Sequence, residues 1–151
     1  MSRLIGEFEC RLDAKGRFIL PSGLKKQISD DARDKFIINK GFEKCLTLYP
    51  SNVWDEITVE IDKLNTYSLD NRTFIRHFYR GATEMTLDSA QRLLLNKSLL
   101  DYAGIDKDIV LFAHTNKIEI WAKDEYDKML STEPADFSGL AERVMGGKKS
   151  E

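Results

Sequence analysis

The segment Leu12-Asp13-Ala14-Lys15-Gly16-Arg17-Phe18-Ile19-Leu20-Pro21 returns in weaker form 75 residues later, as Leu87-Asp88-Ser89-Ala90-Gln91-Arg92-Leu93-Leu94-Leu95-Asn96. A second match at offset 72 sets Cys45-Leu46-Thr47-Leu48-Tyr49 beside Lys117-Ile118-Glu119-Ile120-Trp121, and Trp54 beside Tyr126. Two matched blocks in a chain of 151 residues point to one unit built twice. What both copies keep is an Asp-x-x-x-Arg turn followed by an apolar run, so that turn is the first place to look for function.

Within the first copy, Phe8-Glu9-Cys10-Arg11-Leu12 alternates apolar and polar with period two, as a half-buried strand does. Asp13-Ala14-Lys15-Gly16 reads as a turn, because Asp can bond its own backbone two residues on and Gly tolerates positive φ. Arg17-Phe18-Ile19-Leu20 resumes as a strand that Pro21 stops, which predicts a β-hairpin with Lys15 at its tip. A helix is expected from Ser22 to about Lys35, strands over Phe36-Ile37-Ile38 and Cys45–Tyr49, and a helix N-capped by Ser51 with Trp54, Ile57, Ile61 and Leu64 on its apolar face. Residues 70–80 read as a helix joining the copies, with Phe74, Ile75, Phe78 and Tyr79 on its apolar side. The second copy repeats the order: incoming strand Glu84–Leu87, the second turn, return strand Leu93–Leu95, a short helix capped by Asn96 and ended by Gly104, and strands at Ile109–Phe112 and Lys117–Trp121. Each unit is β-β-α-β-β-α, an α+β class. The expected division is 5–66, a helical connector 67–80, a second unit 81–130, and a tail 131–151 whose end, Gly146-Gly147-Lys148-Lys149, is expected to be loose.

Charge narrows the partner. The net charge is −2, but residues 1–50 hold ten basic against seven acidic side chains, or +3, while the remainder holds 13 against 18, or −5. This is no histone-like chain, so any nucleic-acid binding must come from a local basic patch. No apolar run is long enough to span a bilayer, and Glu7 and Glu9 interrupt the N-terminus before a signal peptide could form. Cys10 and Cys45, each inside an apolar alternation, read as reduced core thiols, and the simplest location is the cytoplasm. His77 and His114 stand without ligand spacing and no glycine-rich phosphate loop is present, so neither a metal nor a cofactor is expected and an enzyme has little support.

At the hairpin tip, Arg17 can pair bidentately with guanine or phosphate, Lys15 offers a mobile point charge, and Gly16 lets the backbone approach phosphates. The plainer possibility is that Arg17 pairs with Asp13 and Lys15 is only solvated. Asp13 and Asp88 are expected to brace their turns, since a carboxylate near phosphate is repelled. Arg11 joins the expected contact set, and Lys25 and Lys26 stand where they extend the patch or serve as ordinary surface charge. In the second turn Ala90 replaces Lys15, Gln91 replaces Gly16, Asn96 replaces Pro21, and Leu100 stands where the first has Lys25. Gln at a left-handed position costs roughly 1 kcal/mol, so this turn is expected to take another shape and a structural or assembly role, with Arg92 an intrachain partner.

The ordered series Gly6-Glu7-Phe8, Leu12–Arg17, Leu20-Pro21, Asn39-Lys40-Gly41, Cys45–Pro50 with Trp54, Phe78–Ala82, Leu87-Asp88 with Arg92, Tyr102-Ala103-Gly104 and Ile118–Trp121 resembles the MraZ family of bacterial transcriptional regulators over nearly the whole chain. The resemblance implies a pair of swapped-hairpin β-barrel units of the AbrB type, a ring-shaped homo-oligomer, and binding to repeated double-stranded DNA upstream of the cell-division and cell-wall operon, at the nucleoid. It places the DNA contact on the first turn, Asp13 to Arg17. From the short apolar runs no membrane partner is expected, and no small molecule is predicted. A protein-interaction scaffold using the acidic second half is the competing class. An antitoxin with an AbrB-like part is a closer cousin, set apart by a second half that reads here as folded.

Overall fold

The computed structural model describes residues 3–132 and 135–146. The chain runs β1 (Leu4–Arg11), β2 (Arg17–Ile19), α1 (Ser22–Lys25), a 3₁₀ turn (Asp30–Ala32), β3 (Lys35–Lys40), β4 (Leu46–Pro50), α2 (Ser51–Asp62) and α3 (Leu69–Tyr79). It continues through β5 (Thr83–Thr86), β6 (Arg92–Leu94), α4 (Lys97–Ala103), β7 (Asp108–Thr115), β8 (Lys117–Ala122), α5 (Lys123–Ser131), α6 (Phe137–Ala141) and a π-helical turn (Glu142–Gly146). The fold is mixed α and β with antiparallel strands throughout.

The sheet order shows how the duplication is used. Six strands run β1-β7-β8-β4-β3-β5, and β2 and β6 pair separately. Exchanging the two halves maps this order onto its own reverse, so an approximate two-fold passes between β4 and β8, where Thr47 faces Glu119. Each half sends its first strand to the other: β1 pairs with β7 over Leu4–Arg11, and β5 pairs with β3. The predicted hairpins are corrected here. The Asp-x-x-x-Arg turns form, with Gly16 N donating to Asp13 O at 3.0 Å and Gln91 N to Asp88 O at 2.9 Å. Yet β1 and β2 then part, because each finds a strand of the other half rather than its neighbour across the turn.

The core sits between the sheet and the β2–β6 ribbon, and it too is drawn in pairs from the two halves. Leu12 with Leu87, Phe18 with Leu93, Leu20 with Leu95, Leu24 with Leu99 and Ile38 with Leu111 are equivalent positions, and all ten are buried. Cys10 and Cys45 are free thiols, and burial pushes them up to about 11 and about 12.

Several local expectations shift. The helix expected over 22–35 is only α1 and the 3₁₀ turn: α1 stops at Lys25, Ser29 turns extended at ψ 143° to cap the 3₁₀ turn, and Arg33 and Asp34 end that turn at left-handed φ of 53° and 59°. Pro50, not Ser51, holds the N-cap of α2, and the Ser51 hydroxyl donates to Ala32 O instead. Val53 and Ile61 are the buried residues of α2, with Trp54 half-buried beside them. Asn96 and Gly104 do cap α4: Asn96 Oδ1 accepts from Leu99 N at 3.0 Å and Gly104 ends it at φ 65°. The tail beyond α5 contains α6 and the π turn, while Gly147-Lys148-Lys149 lies outside the described residues.

Leu93 is fully buried between the halves. Leu93→Ala is therefore expected to cost about 2–5 kcal/mol of unfolding free energy, read as a lower urea midpoint with unchanged slope.

Candidate nucleic-acid interface

Each turn is organised by one carboxylate. Asp13 Oδ1 accepts the backbone N–H of Lys15 and of Arg17, both at 2.9 Å, and Oδ2 accepts Arg17 Nε at 2.8 Å. Asp88 repeats the set on Ala90 N, Arg92 N and Arg92 Nε, at 2.9, 2.9 and 2.8 Å. The second turn thus keeps the shape of the first, against the sequence expectation. Gln91 takes the left-handed φ of 62°, beside 86° at Gly16, because three hydrogen bonds to Asp88 hold the loop closed around it. The backbone N–H of the arginine, then its side chain, pulls each carboxyl below the ordinary 3.8.

Gly16 turns out to serve packing. It is buried, its carbonyl accepts Leu95 N at 2.9 Å, and a Cβ there would meet that same Leu95 carbonyl at 3.0 Å. The reciprocal bond, Leu20 N to Gln91 O, is also 2.9 Å. These two bonds clamp the turns to opposite ends of the ribbon.

The ribbon decides which side chains share a surface. Arg17 faces Leu94, Phe18 faces Leu93 and Ile19 faces Arg92. Phe18 and Leu93 point into the core, so alternation puts Arg17, Ile19, Arg92 and Leu94 together on the outer face. Arg17 and Arg92 are diagonal neighbours, about 7–8 Å apart in backbone terms. Ile19 and Leu94 between them are 62% and 53% exposed, unusual for large apolar side chains. Each guanidinium is tied to its Asp only through Nε, and the Nη groups make no hydrogen bond among the described residues. Pairing to Asp and availability to a ligand are therefore compatible, because the carboxylate aims the fork instead of consuming it.

The other residues singled out in the sequence fall differently. Lys15 is exposed at the first turn, with Ala90 at the matching place of the second. Arg11 lies off the ribbon, at the end of the β1–β7 pair, 3.6 Å from Asp108 in an exposed ion pair. Lys25 is bound to Asp34 at 2.8 Å and Lys26 is exposed. Arg92 does pair within the chain, but in the same manner as Arg17, so that pairing does not separate the two turns. The membership of Ile19, Leu94 and Arg92 in one face was not read from the sequence. Its signal was the repeat itself: if the two arginines are equivalent, a two-fold that pairs their strands must bring them to one surface.

A duplicated α+β chain that presents a two-stranded, arginine-bearing ribbon matches one family of known proteins. The family model described as "MraZ protein, putative antitoxin-like" matches it twice, at residues 4–77 and 78–147. A protein of Christiangramia forsetii named "Transcriptional regulator MraZ" is 44% identical, covering 97% of this chain and 95% of its own length. Proteins of the same name from Flavobacterium psychrophilum and Desulforamulus reducens are 42% and 36% identical, over 97% and 93% of this chain and 94% and 96% of their own. The chain belongs to the MraZ family, whose named members are regulators of transcription and not enzymes. No helix among the described residues is long and apolar enough to cross a membrane.

Because Asp13 and Asp88 titrate below an unfolded carboxylate, the stability they add is complete above the ordinary 3.8 and is lost as pH falls through their lower folded values. Thermal midpoints of the wild type are expected to fall in that acid window, and Asp13→Asn/Asp88→Asn to flatten this part of the profile.

Proposed function

We propose that this chain is a sequence-specific, double-stranded DNA-binding regulator of transcription, reading DNA with the outer face of the β2–β6 ribbon. The observation that carries the reading is the placement of Arg17 and Arg92 on that one face, each fork held by its own aspartate. A two-stranded ribbon fits the roughly 12 Å major groove. There the free Nη groups suit guanine O6 and N7, and Ile19 and Leu94 suit thymine methyls. Lys15 adds a phosphate contact, and Arg11 is a peripheral one. Gly16, Asp13 and Asp88 act by shaping the turns. The strand exchange is the arrangement expected of AbrB-type swapped hairpins, with units at 5–66 and 81–130, a connector at 67–80 and a tail from 131.

The patch is small, with three cations against two bracing carboxylates, so one chain offers few phosphate contacts. We infer that the protein works as a ring of several copies on tandem repeats upstream of the cell-division and cell-wall operon, in the cytoplasm at the nucleoid. Linked sites gain roughly 10²–10⁴ in avidity. The exposed, aromatic-rich α3, which buries none of its residues, supports assembly.

Fluorescence anisotropy on a duplex from upstream of the gene tests this. Arg17→Ala and Arg92→Ala are each expected to weaken specific binding by about 1–3 kcal/mol and relax base preference. Lys15→Ala is expected to weaken all duplexes alike and lower the salt slope by about one. Equal binding to scrambled DNA, or two silent arginine variants, would overturn the reading. Equal affinity for one repeat and for several would remove the avidity argument.

A further inference from the structure

Among the described residues, four that carry side chains take left-handed φ: Arg33, Asp34, Gln91 and Thr115. Arg33 and Asp34 close the 3₁₀ turn, and Thr115 stands in the tight link from β7 to β8. Gln91, at φ 62°, lies on the candidate interface, directly before Arg92 at the end of the ribbon. Strain held at a binding surface points to function when the local structure does not need the residue that bears it. The first turn makes the same loop with Gly16, at φ 86°, without that cost. The side chains that usually tolerate this conformation are Asn and Asp, whose short polar ends bond the nearby backbone. The Gln91 amide does not: it makes no hydrogen bond among the described residues, and the residue is exposed.

Packing confines such a side chain to the second turn. A Cβ at Gly16 would meet Leu95 O at 3.0 Å, Leu100 Cδ1 at 3.6 Å and Leu94 Cδ1 at 3.9 Å, so the first turn is closed over. Around Gln91 the equivalent residues are Leu20, Lys25 and Ile19. Lys25, which stands where Leu100 does in the other half, pairs with Asp34 at 2.8 Å, and the Gln91 side chain emerges into solvent.

We propose that Gln91 is a base-reading residue that takes adenine in the major groove, beside the guanine taken by Arg92. The inference rests on the ribbon reading DNA as proposed above, and adds the base selected at the second turn. An amide carries an acceptor and a donor side by side, the complement of the adenine N6 amino group and N7. A phosphate presents acceptors alone and would leave Oε1 unmatched. The backbone beneath the amide is already fixed. Asp88 Oδ1 holds Ala90 N and Arg92 N on either side of Gln91, whose own N–H donates to Asp88 O and whose carbonyl accepts Leu20 N. Only the torsions of the side chain itself remain to be ordered on binding.

Fluorescence anisotropy with the full chain tests this, on the duplex from upstream of the gene and on a set in which each A·T pair of the bound site becomes G·C in turn. The variant is Gln91→Gly, because glycine suits this φ and keeps the turn; an equal or higher thermal midpoint checks that it does. Wild type is expected to lose roughly 5- to 150-fold in affinity at one adenine. Replacing that adenine by 7-deazaadenine, which keeps the amino group and lacks the N7 acceptor, is expected to give part of the same loss. Gln91→Gly is expected to bind the native duplex more weakly by that factor and to ignore both replacements, while still preferring it to scrambled DNA. The same base preferences in Gln91→Gly as in wild type would overturn the inference and leave the ribbon reading standing. A uniform loss on every duplex, scrambled DNA included, would overturn it in favour of a phosphate contact. Equal binding of wild type to native and scrambled DNA would remove the ribbon reading, and this inference with it.

Discussion

Each half of this chain makes a strand of three residues, β2 or β6, that its own half leaves unpaired. Such a strand buried on one side cannot leave its peptide groups without partners, since each orphaned donor or acceptor costs about 1–3 kcal/mol. The two strands can satisfy one another only if the halves turn face to face, and almost everything else follows from that. The exchange of β1 and β5, the paired core leucines and the cross-bonds from Leu20 to Gln91 and from Leu95 to Gly16 all belong to the same closure. Neither half has a complete core in isolation.

The same closure makes the candidate surface. An arginine at the start of a strand is ordinary, and a salt bridge to an aspartate four residues before it is worth little on an exposed surface. What changes its meaning is that two such arginines arrive on one narrow face with two uncovered aliphatic side chains between them. The aspartates then serve two purposes: they hold the turns shut through backbone N–H groups, and they fix the direction of the guanidinium planes. Rigid aim, more than net charge, is what the chain invests in that face.

Much of this was legible beforehand because the repeat is a statement about geometry as well as ancestry. The turns, the caps at Asn96 and Gly104 and the apolar partners of each half could be read locally, since short-range hydrogen bonding fixes them. The hairpins could not, because strand choice is decided by partners 73 to 111 residues away, and a local reading always prefers the neighbour across the turn. Gln91 misled for a related reason: propensity assigns a cost to left-handed φ but does not see the three bonds to Asp88 that offset it. Gly16 looked like a point of approach for a ligand and is a point of approach for Leu95. Burial, unlike spacing, is not written in the residue itself.

Fusion has one further effect. In a symmetric dimer of identical chains the two turns would have to be the same, and the surface they frame would look alike from either end. Here they have been free to diverge, to Lys15 and Gly16 on one side and Ala90 and Gln91 on the other, around an almost unchanged carboxylate–arginine core. The ribbon has acquired a front and a back. A surface with that polarity distinguishes the two directions along whatever it meets, and suits targets repeated head to tail better than ones that read the same both ways.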